Sequence, residues 1–212
     1  MKVAILGATG WIGRRLVDEA LLRGHAVTAI SRGAGAMQPR DGLTPLAHDI
    51  SDAASLAAVL SGHDAVIHSA RPPRDHPDRM GAVRALASTI IDATKSTGIK
   101  PLLAVGGAGS LMIDGVRRMD QADFPEHFQM GAASTVEIYY MLQKEPALDW
   151  TYLCPSDTPE ENNRTGKFRL GGEDMLFDEN GVSHISLEDY AIAMIDELEN
   201  PEHTRQKFTV GY

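Results

Sequence analysis

Residues 2 to 13 read Lys-Val-Ala-Ile-Leu-Gly-Ala-Thr-Gly-Trp-Ile-Gly, and this stretch decides the fold. An apolar run with strand character stops at Gly7, and an amphipathic stretch begins just past Gly10. A pyrophosphate needs close backbone approach and free N–H groups, and a glycine-rich turn into a helix N-terminus supplies both. A glycine triplet alone is a weak signal. Here a strand precedes it, a helix follows, and a second strand arrives about thirty residues in, the length of a βαβ unit.

Outward from this turn, residues 11–23 predict a helix with Ile12, Leu16, Ala20 and Leu21 or Leu22 on one side. Arg14, Arg15, Asp18 and Glu19 fall largely on the other, and Gly24 ends the helix. Strands are expected at 25–30, 43–47, 64–70, 102–105, 150–153 and 208–210, with a polar connection at 33–42. Helices are expected at 52–60, capped by Ser51 or Asp52, at 78–97, at 127–144, and at 187–198 behind Ser186. Residues 106–126 read as irregular, and residues 156 to about 180 are polar without periodicity. This alternation predicts an α/β doubly wound parallel sheet, the NAD(P)-binding Rossmann fold, with ligands beyond the carboxyl ends of the strands. A single domain over 1–212 is expected, with a small C-terminal substrate lid built from insertions near 107–130 and 156–182.

Bulk properties narrow the partners. With 212 residues and 43% hydrophobic composition the chain can bury one core. Its 20 Lys and Arg against 29 Asp and Glu give a net charge of −9, which argues against a nucleic-acid surface. One cysteine, Cys154, precludes an internal disulfide and reads as a small core residue. No apolar run approaches membrane-spanning length and the N-terminus opens straight into a strand, so a soluble cytoplasmic protein is expected. Small proteins of the expected fold are often monomers or dimers, so a monomer or homodimer is expected. No His, Asp and Glu set has metal-ligand spacing.

The glycine spacing is Gly-x-x-Gly-x-x-Gly. Gly7 makes the tight exit from the strand, Gly10 lets phosphates approach, and Gly13 permits close helix packing. Thr9 and the backbone N–H groups of Trp11 and Ile12 are natural diphosphate donors. NAD-preferring folds place an acidic residue at the end of the second strand. This chain has Ser31-Arg32 there, 19 residues beyond Gly13, and a guanidinium with a hydroxyl suits a 2′-phosphate. NADP(H) is therefore favoured over NAD(H). Asp49 and Ile50 suit the adenine, Ser69, Ala70 and Arg71 should pass near the ribose or phosphates, and Val105 and Gly106 complete the cofactor set.

Gly7-Ala-Thr-Gly-Trp-Ile-Gly together with Val105-Gly-Gly-Ala-Gly-Ser-Leu resembles the atypical short-chain dehydrogenase/reductase group. Within it, the chain is similar to the NADH-flavin reductase-like branch, and also to NmrA-like and biliverdin-reductase-B-like proteins. Trp150-Thr-Tyr-Leu-Cys-Pro-Ser, Arg164-Thr-Gly-Lys-Phe-Arg and Ile185-Ser-Leu-Glu-Asp-Tyr-Ala carry the resemblance into the C-terminal half. The resemblance implies a Tyr-x-x-x-Lys pair on the helix after the fifth strand. Tyr140 and Lys144 match that string, but Lys144 lies only 11 residues before Pro155, too late on the helix. Gly131, Ala132 and Val136 fall where the pair would be expected.

The candidate catalytic residue is Ser110, which either orients a carbonyl or flavin edge or stabilises a Gly-rich turn. Ser156 and His127 are weaker candidates, and His68 reads as a satisfied core residue. Met112, Met119, Met130, Phe124 and Phe128 either stack on a planar substrate or pack the lid. The expected activity is NADP(H)-dependent hydride transfer to a small-molecule flavin-like, quinone or carbonyl acceptor, so a flavin is admissible as substrate. The alternative is an NmrA-like NADP(H)-binding redox sensor without catalysis.

Overall fold

Strands and helices alternate from the first residues: β1 (Lys2–Leu6), α1 (Trp11–Leu22), β2 (Ala26–Ser31), β3 (Leu43–Ala47), α2 (Ala53–Leu60), β4 (Ala65–His68), α3 (Arg79–Ser96) and β5 (Pro101–Val105). A short hairpin, β6 (Met112–Ile113) and β7 (Val116–Arg117), precedes α4 (Glu126–Gln143) and β8 (Asp149–Cys154). The chain ends with β9 (Thr158–Glu160), β10 (Arg169–Gly171), β11 (His184–Ser186), α5 (Leu187–Glu199) and β12 (Gln206–Gly211). This computed structural model describes residues 1–161 and 163–212.

Eight strands form one sheet in the order β10-β12-β8-β5-β4-β1-β2-β3. All pair in parallel except β10, which runs antiparallel along β12. From β1 the chain steps outward to β2 and β3, then returns to lay β4 on the opposite side of β1. That reversal opens a crevice between β1 and β4 at the carboxyl edge. Side chains alternate across β1: Val3 and Ile5 pack with α1 and α5, whereas Ala4 and Leu6 pack with α2, α3 and α4. Both faces are covered, which is why the parallel strands read as near-continuous apolar runs.

Local chemistry sets the helix starts. The Asp52 carboxylate accepts from the Ser55 N–H (2.7 Å), Asp78 from Gly81 (2.9 Å), and the Ser186 hydroxyl from Asp189 (3.0 Å). Asp52, not Ser51, therefore caps α2. Gly24 follows α1 at φ +78, where a side chain would be strained.

Three expectations change. Residues 106–126 contain the β6–β7 hairpin, whose turn residues Asp114 and Gly115 both have positive φ (51 and 78). The polar stretch after Pro155 contains β9 and β10, so the main sheet has eight strands and not seven. The two insertions are bonded to each other: Met112 N–H donates to the Glu173 carbonyl and Met175 N–H to the Met112 carbonyl, each at 2.9 Å. Glu19, expected on the polar side of α1, is buried (4% exposed) and held by Arg23 at 2.8 Å and Arg164 at 2.9 Å.

A Cβ on Gly13 would lie 2.2 Å from the Gly7 carbonyl oxygen, whereas one on Gly131 meets nothing within 4 Å. Substitution by alanine should therefore act with opposite sign at the two sites. Gly13→Ala is expected to lower the unfolding free energy by about 1–3 kcal/mol. Gly131→Ala, inside α4, is expected to raise it by about 0.5–1 kcal/mol. Urea unfolding of the two variants beside the parent reads both values.

Candidate functional site

A cleft of about 1060 Å³ lies at the carboxyl edge of the sheet, walled by the segments that follow β1 to β5 and by α3 and α4. Its floor is the turn after β1. Gly7 adopts φ +80 and donates its N–H to the Ile30 carbonyl (2.9 Å). A Cβ on Gly7 would sit 2.6 Å from the Ala70 nitrogen, so the backbones leaving β1 and β4 touch here. Gly10 starts α1 without a side-chain cap, and the first turn carries no acidic residue. Trp11 and Ile12 line the cleft at that positive helix end, where backbone donors and the helix dipole both favour an anion. Gly13 is buried beneath Gly7 and does not line the cleft, so its part is packing.

On the β2–β3 side, the Thr9 and Ser31 hydroxyls share a 2.9 Å hydrogen bond that ties the glycine turn to β2. Arg32 is exposed at the cleft edge, and Asp49 and Ile50 line the same side. Asp49 accepts from the Ser51 N–H at 3.0 Å. On the β4–β5 side, Ser69, Ala70 and Arg71 face Val105 and Gly106 across the cleft wall. Arg71 reaches across: Nη1 donates to the Ala70 carbonyl (2.9 Å) and Nη2 to the Val105 carbonyl (2.5 Å). Burial pulls its pKa below the ordinary arginine value, and the nearby Arg79 charge pulls the same way.

The cleft also gathers residues that the sequence did not assign to ligand binding. Pro72, Pro73, Arg74, His76 and Arg79 come from the loop into α3, His48 and Ser51 from the end of β3, and Gly131 and Thr135 from α4. On a chain of net charge −9, four arginines (Arg32, Arg71, Arg74, Arg79) line this cleft against one carboxylate, Asp49. None of the four enters an ion pair among the described residues, and Arg79 Nε is buried without a hydrogen-bond partner. The arrangement is built to receive anionic groups.

Ser110 is placed elsewhere. It is 2% exposed, donates to the Gly107 carbonyl (3.0 Å), lies 3.1 Å from Cys154 Sγ, and does not line the cleft. The turn-stabilising alternative fits this geometry and the substrate-orienting one does not. Tyr140 and Lys144 are also remote: the Tyr140 hydroxyl accepts from Arg117 (2.7 Å), and neither residue lines the cleft. The helix presents Gly131 and Thr135 instead, close to where the spacing put the missing pair. Ser156 is 1% exposed and bonded to the Val210 carbonyl (2.9 Å), and burial lifts the Cys154 thiol to about 11. Met112, Met119, Phe124, Phe128 and Met130 are all off the cleft wall; Phe124 lies under the Arg118 guanidinium at 5.2 Å, and the exposed His127 ring packs on Phe128 at 4.0 Å. No group of three or more His, Cys, Asp or Glu side chains could hold a metal, and no helix is long and apolar enough to cross a membrane, among the described residues.

Comparison with known proteins gives the family. The profile of the NAD(P)H-binding family matches residues 7–201, and the chain belongs to that family, an atypical short-chain dehydrogenase/reductase group with a Rossmann-like fold. An uncharacterised Bacillus subtilis protein, YwnB, is 38% identical over 216 residues, spanning 99% of this chain and 98% of its own. A Bacteroides thetaiotaomicron structure described as a candidate epimerase is 41% identical with TM-score 0.91, covering 100% of this chain and 96% of that one. A Streptococcus pneumoniae structure described as a candidate NADH-flavin reductase is 32% identical with TM-score 0.87, covering 100% and 99%. A Burkholderia pseudomallei structure described as a candidate exported protein is 38% identical with TM-score 0.89 over the full length of both chains.

His68 closes β4 beside Arg71. It is 2% exposed, as expected of a core residue, but both ring nitrogens lack a partner. Burial and the Arg71 charge push its pKa down to about 3 from 6.5. The folded ring stays neutral while the unfolded one protonates, so the stability present above pH 6.5 is lost as pH falls toward 3. His68→Leu should flatten this acid limb by up to about 1.4 kcal/mol per pH unit. Urea unfolding from pH 7 down to pH 4, on the parent and the variant, measures the difference; a gap that stays constant with pH would contradict the assignment.

Proposed function

We propose that the protein is an NADP(H)-dependent reductase acting on a small planar acceptor, a flavin, quinone or conjugated carbonyl compound. The observation that carries this is the charge of the cleft: four unpaired arginines around an uncapped helix start, at the one reversal of strand order in the parallel sheet. Backbone N–H groups of Trp11 and Ile12, with the Thr9 hydroxyl, would hold the diphosphate. Ser31 and Arg32 would take the 2′-phosphate, and Ile50 and Asp49 the adenine face and amino group. When bound, the dinucleotide supplies a hydride, and the residues of the fold position it and exclude water. Gly131, with open space in front of it, leaves room for the acceptor. The description of the Streptococcus pneumoniae relative supports this choice of acceptor. The Bacteroides relative is described as a candidate epimerase, a different activity. We assign the protein to the cytoplasm, as a monomer or homodimer, because the reading draws on a soluble NADPH pool.

A second reading is an NmrA-like redox sensor that binds the dinucleotide without turnover. It is favoured by one observation: α4 turns Gly131 and Thr135 toward the cleft, and no tyrosine or lysine.

NADPH oxidation with a panel of flavins and quinones separates the two. Turnover with at least one acceptor is the expected result, and none with any acceptor selects the sensor. Arg32→Asp should weaken NADPH binding at least about tenfold and leave NADH binding nearly unchanged, by fluorescence titration. Unchanged relative affinity would remove the 2′-phosphate assignment. Gly131→Leu should raise KM for the acceptor several-fold, with KM for NADPH close to the parent value.

A further inference from the structure

We propose that Arg71 sets the redox preference of the cleft, making it bind the reduced nicotinamide dinucleotide more tightly than the oxidised one. The inference rests on the dinucleotide reading of the cleft and is independent of turnover. The start of α1 lies at the switch point between β1 and β4, and Ser31, Arg32 and Asp49 occupy the β2–β3 side. With the adenosine half on that side, the nicotinamide half is directed to the β4–β5 side. Arg71 spans this side, its Nη2 held by the Val105 carbonyl at the end of β5.

The charge there is uncompensated. A guanidinium has five N–H donors, and the two bonds to the Ala70 and Val105 carbonyls are its only hydrogen bonds among the described residues. Both acceptors are neutral. The ionisable groups facing it add no negative charge: His68 is neutral, burial keeps the Tyr152 and Tyr190 phenols protonated, and Arg79 contributes a second cation. Asp49 lies on the opposite side of the cleft, and Asp78 is turned into the cap of α3.

A dihydronicotinamide ring is neutral, whereas the oxidised ring carries one positive charge. A fixed cation in a partly buried wall therefore opposes the oxidised ring and leaves the reduced ring unaffected. At roughly 10 Å and an effective dielectric of about 20, that repulsion is worth about tenfold in affinity. The fixed positive charge also favours departure of hydride from the reduced ring only as far as the acceptor, once reduced, carries the compensating negative charge.

The test compares dissociation constants for NADPH, NADP+ and the nicotinamide-free probe 2′,5′-ADP on the parent, Arg71→Gln, Arg71→Met and Arg71→Lys. The parent should bind NADPH about tenfold more tightly than NADP+. The ratio should fall several-fold in the two neutral variants and be largely kept by lysine, while any loss of phosphate affinity, read with 2′,5′-ADP, is shared by NADPH and NADP+ and so cancels from the ratio. Equal affinities in the parent, or a ratio unaltered in the neutral variants, even with a proportional loss for all three ligands, would each overturn the proposal. Absence of turnover with every acceptor removes the reductase reading and leaves this ratio fully measurable.

Discussion

The contact on which the rest of the fold depends is the one between the turn after β1 and its surroundings. Gly7 lies against the Ala70 backbone on one side and over Gly13 on the other, at separations where a Cβ would fall 2.6 Å and 2.2 Å from backbone atoms. That closeness seats α1 directly on the end of β1 and aims its first turn at the crevice. It also brings the exits of β1 and β4 together, so the loops carrying Thr9, Ser69 and Arg71 face one space. A side chain at either glycine would push α1 away from the sheet and misdirect a helix start that lacks both a side-chain cap and an acidic residue.

Charge is distributed against the average of the molecule. Elsewhere carboxylates meet their partners: Glu19 is gripped by Arg23 and Arg164, and Glu145, also buried, by Lys95 at 2.9 Å. In the cleft the arginines are left without carboxylates, and two of them, Arg71 and Arg79, are close enough to oppose each other. Holding like charges together in a partly buried wall costs stability. Anionic groups entering the cleft would relieve that cost, and a ligand that binds only the folded state stabilises it in proportion to its concentration. The unpaired cations are thus a property of the chain that makes physical sense only with a ligand in place.

Most of the fold was legible in the sequence because parallel strands buried on both faces and helices with three or more turns carry strong periodic signals. The glycine turn, Ser31-Arg32, Asp49-Ile50 and the exits of β4 and β5 could be placed because each directly follows a strand, and strand ends converge in this topology. What could not be read depends on tertiary pairing. β9 and β10 are three residues each, too short for a pattern, and exist because β11 and β12 offer them an edge. The β6–β7 hairpin did leave a signal, Asp114-Gly115 between apolar residues, which is the pair favoured in a two-residue turn with positive φ. Ser110 misled because its position after β5 is right in sequence, but the loop turns its hydroxyl back toward Cys154. Arg74 was missed because a charge in a polar loop reads as solvated until the loop is folded over the cleft, and Arg79 because a charge in the first turn of a helix reads the same way until α3 is set against the cleft.

The register of α4 bears on which acceptor suits a reductase of this design. A simple carbonyl becomes an alkoxide as hydride arrives and needs a proton donor at its oxygen in the same step. The side chain that α4 offers at the cleft is Thr135, whose hydroxyl already donates to the Ala132 carbonyl at 2.8 Å. Gly131 offers none. His68 is buried and neutral, and the tyrosine hydroxyls of 139, 152 and 190 are turned to Glu173, Thr135 and Leu153. A conjugated ring system needs less help: the added electron pair is delocalised, and water can deliver the proton afterwards. An acceptor of that kind also gains from a nearby guanidinium, since the charge it acquires is negative. The same Arg71 that disfavours an oxidised nicotinamide, and so by itself opposes hydride departure, would stabilise a reduced, anionic acceptor beside it, and this second effect offsets the first when a flavin- or quinone-like partner takes up the charge.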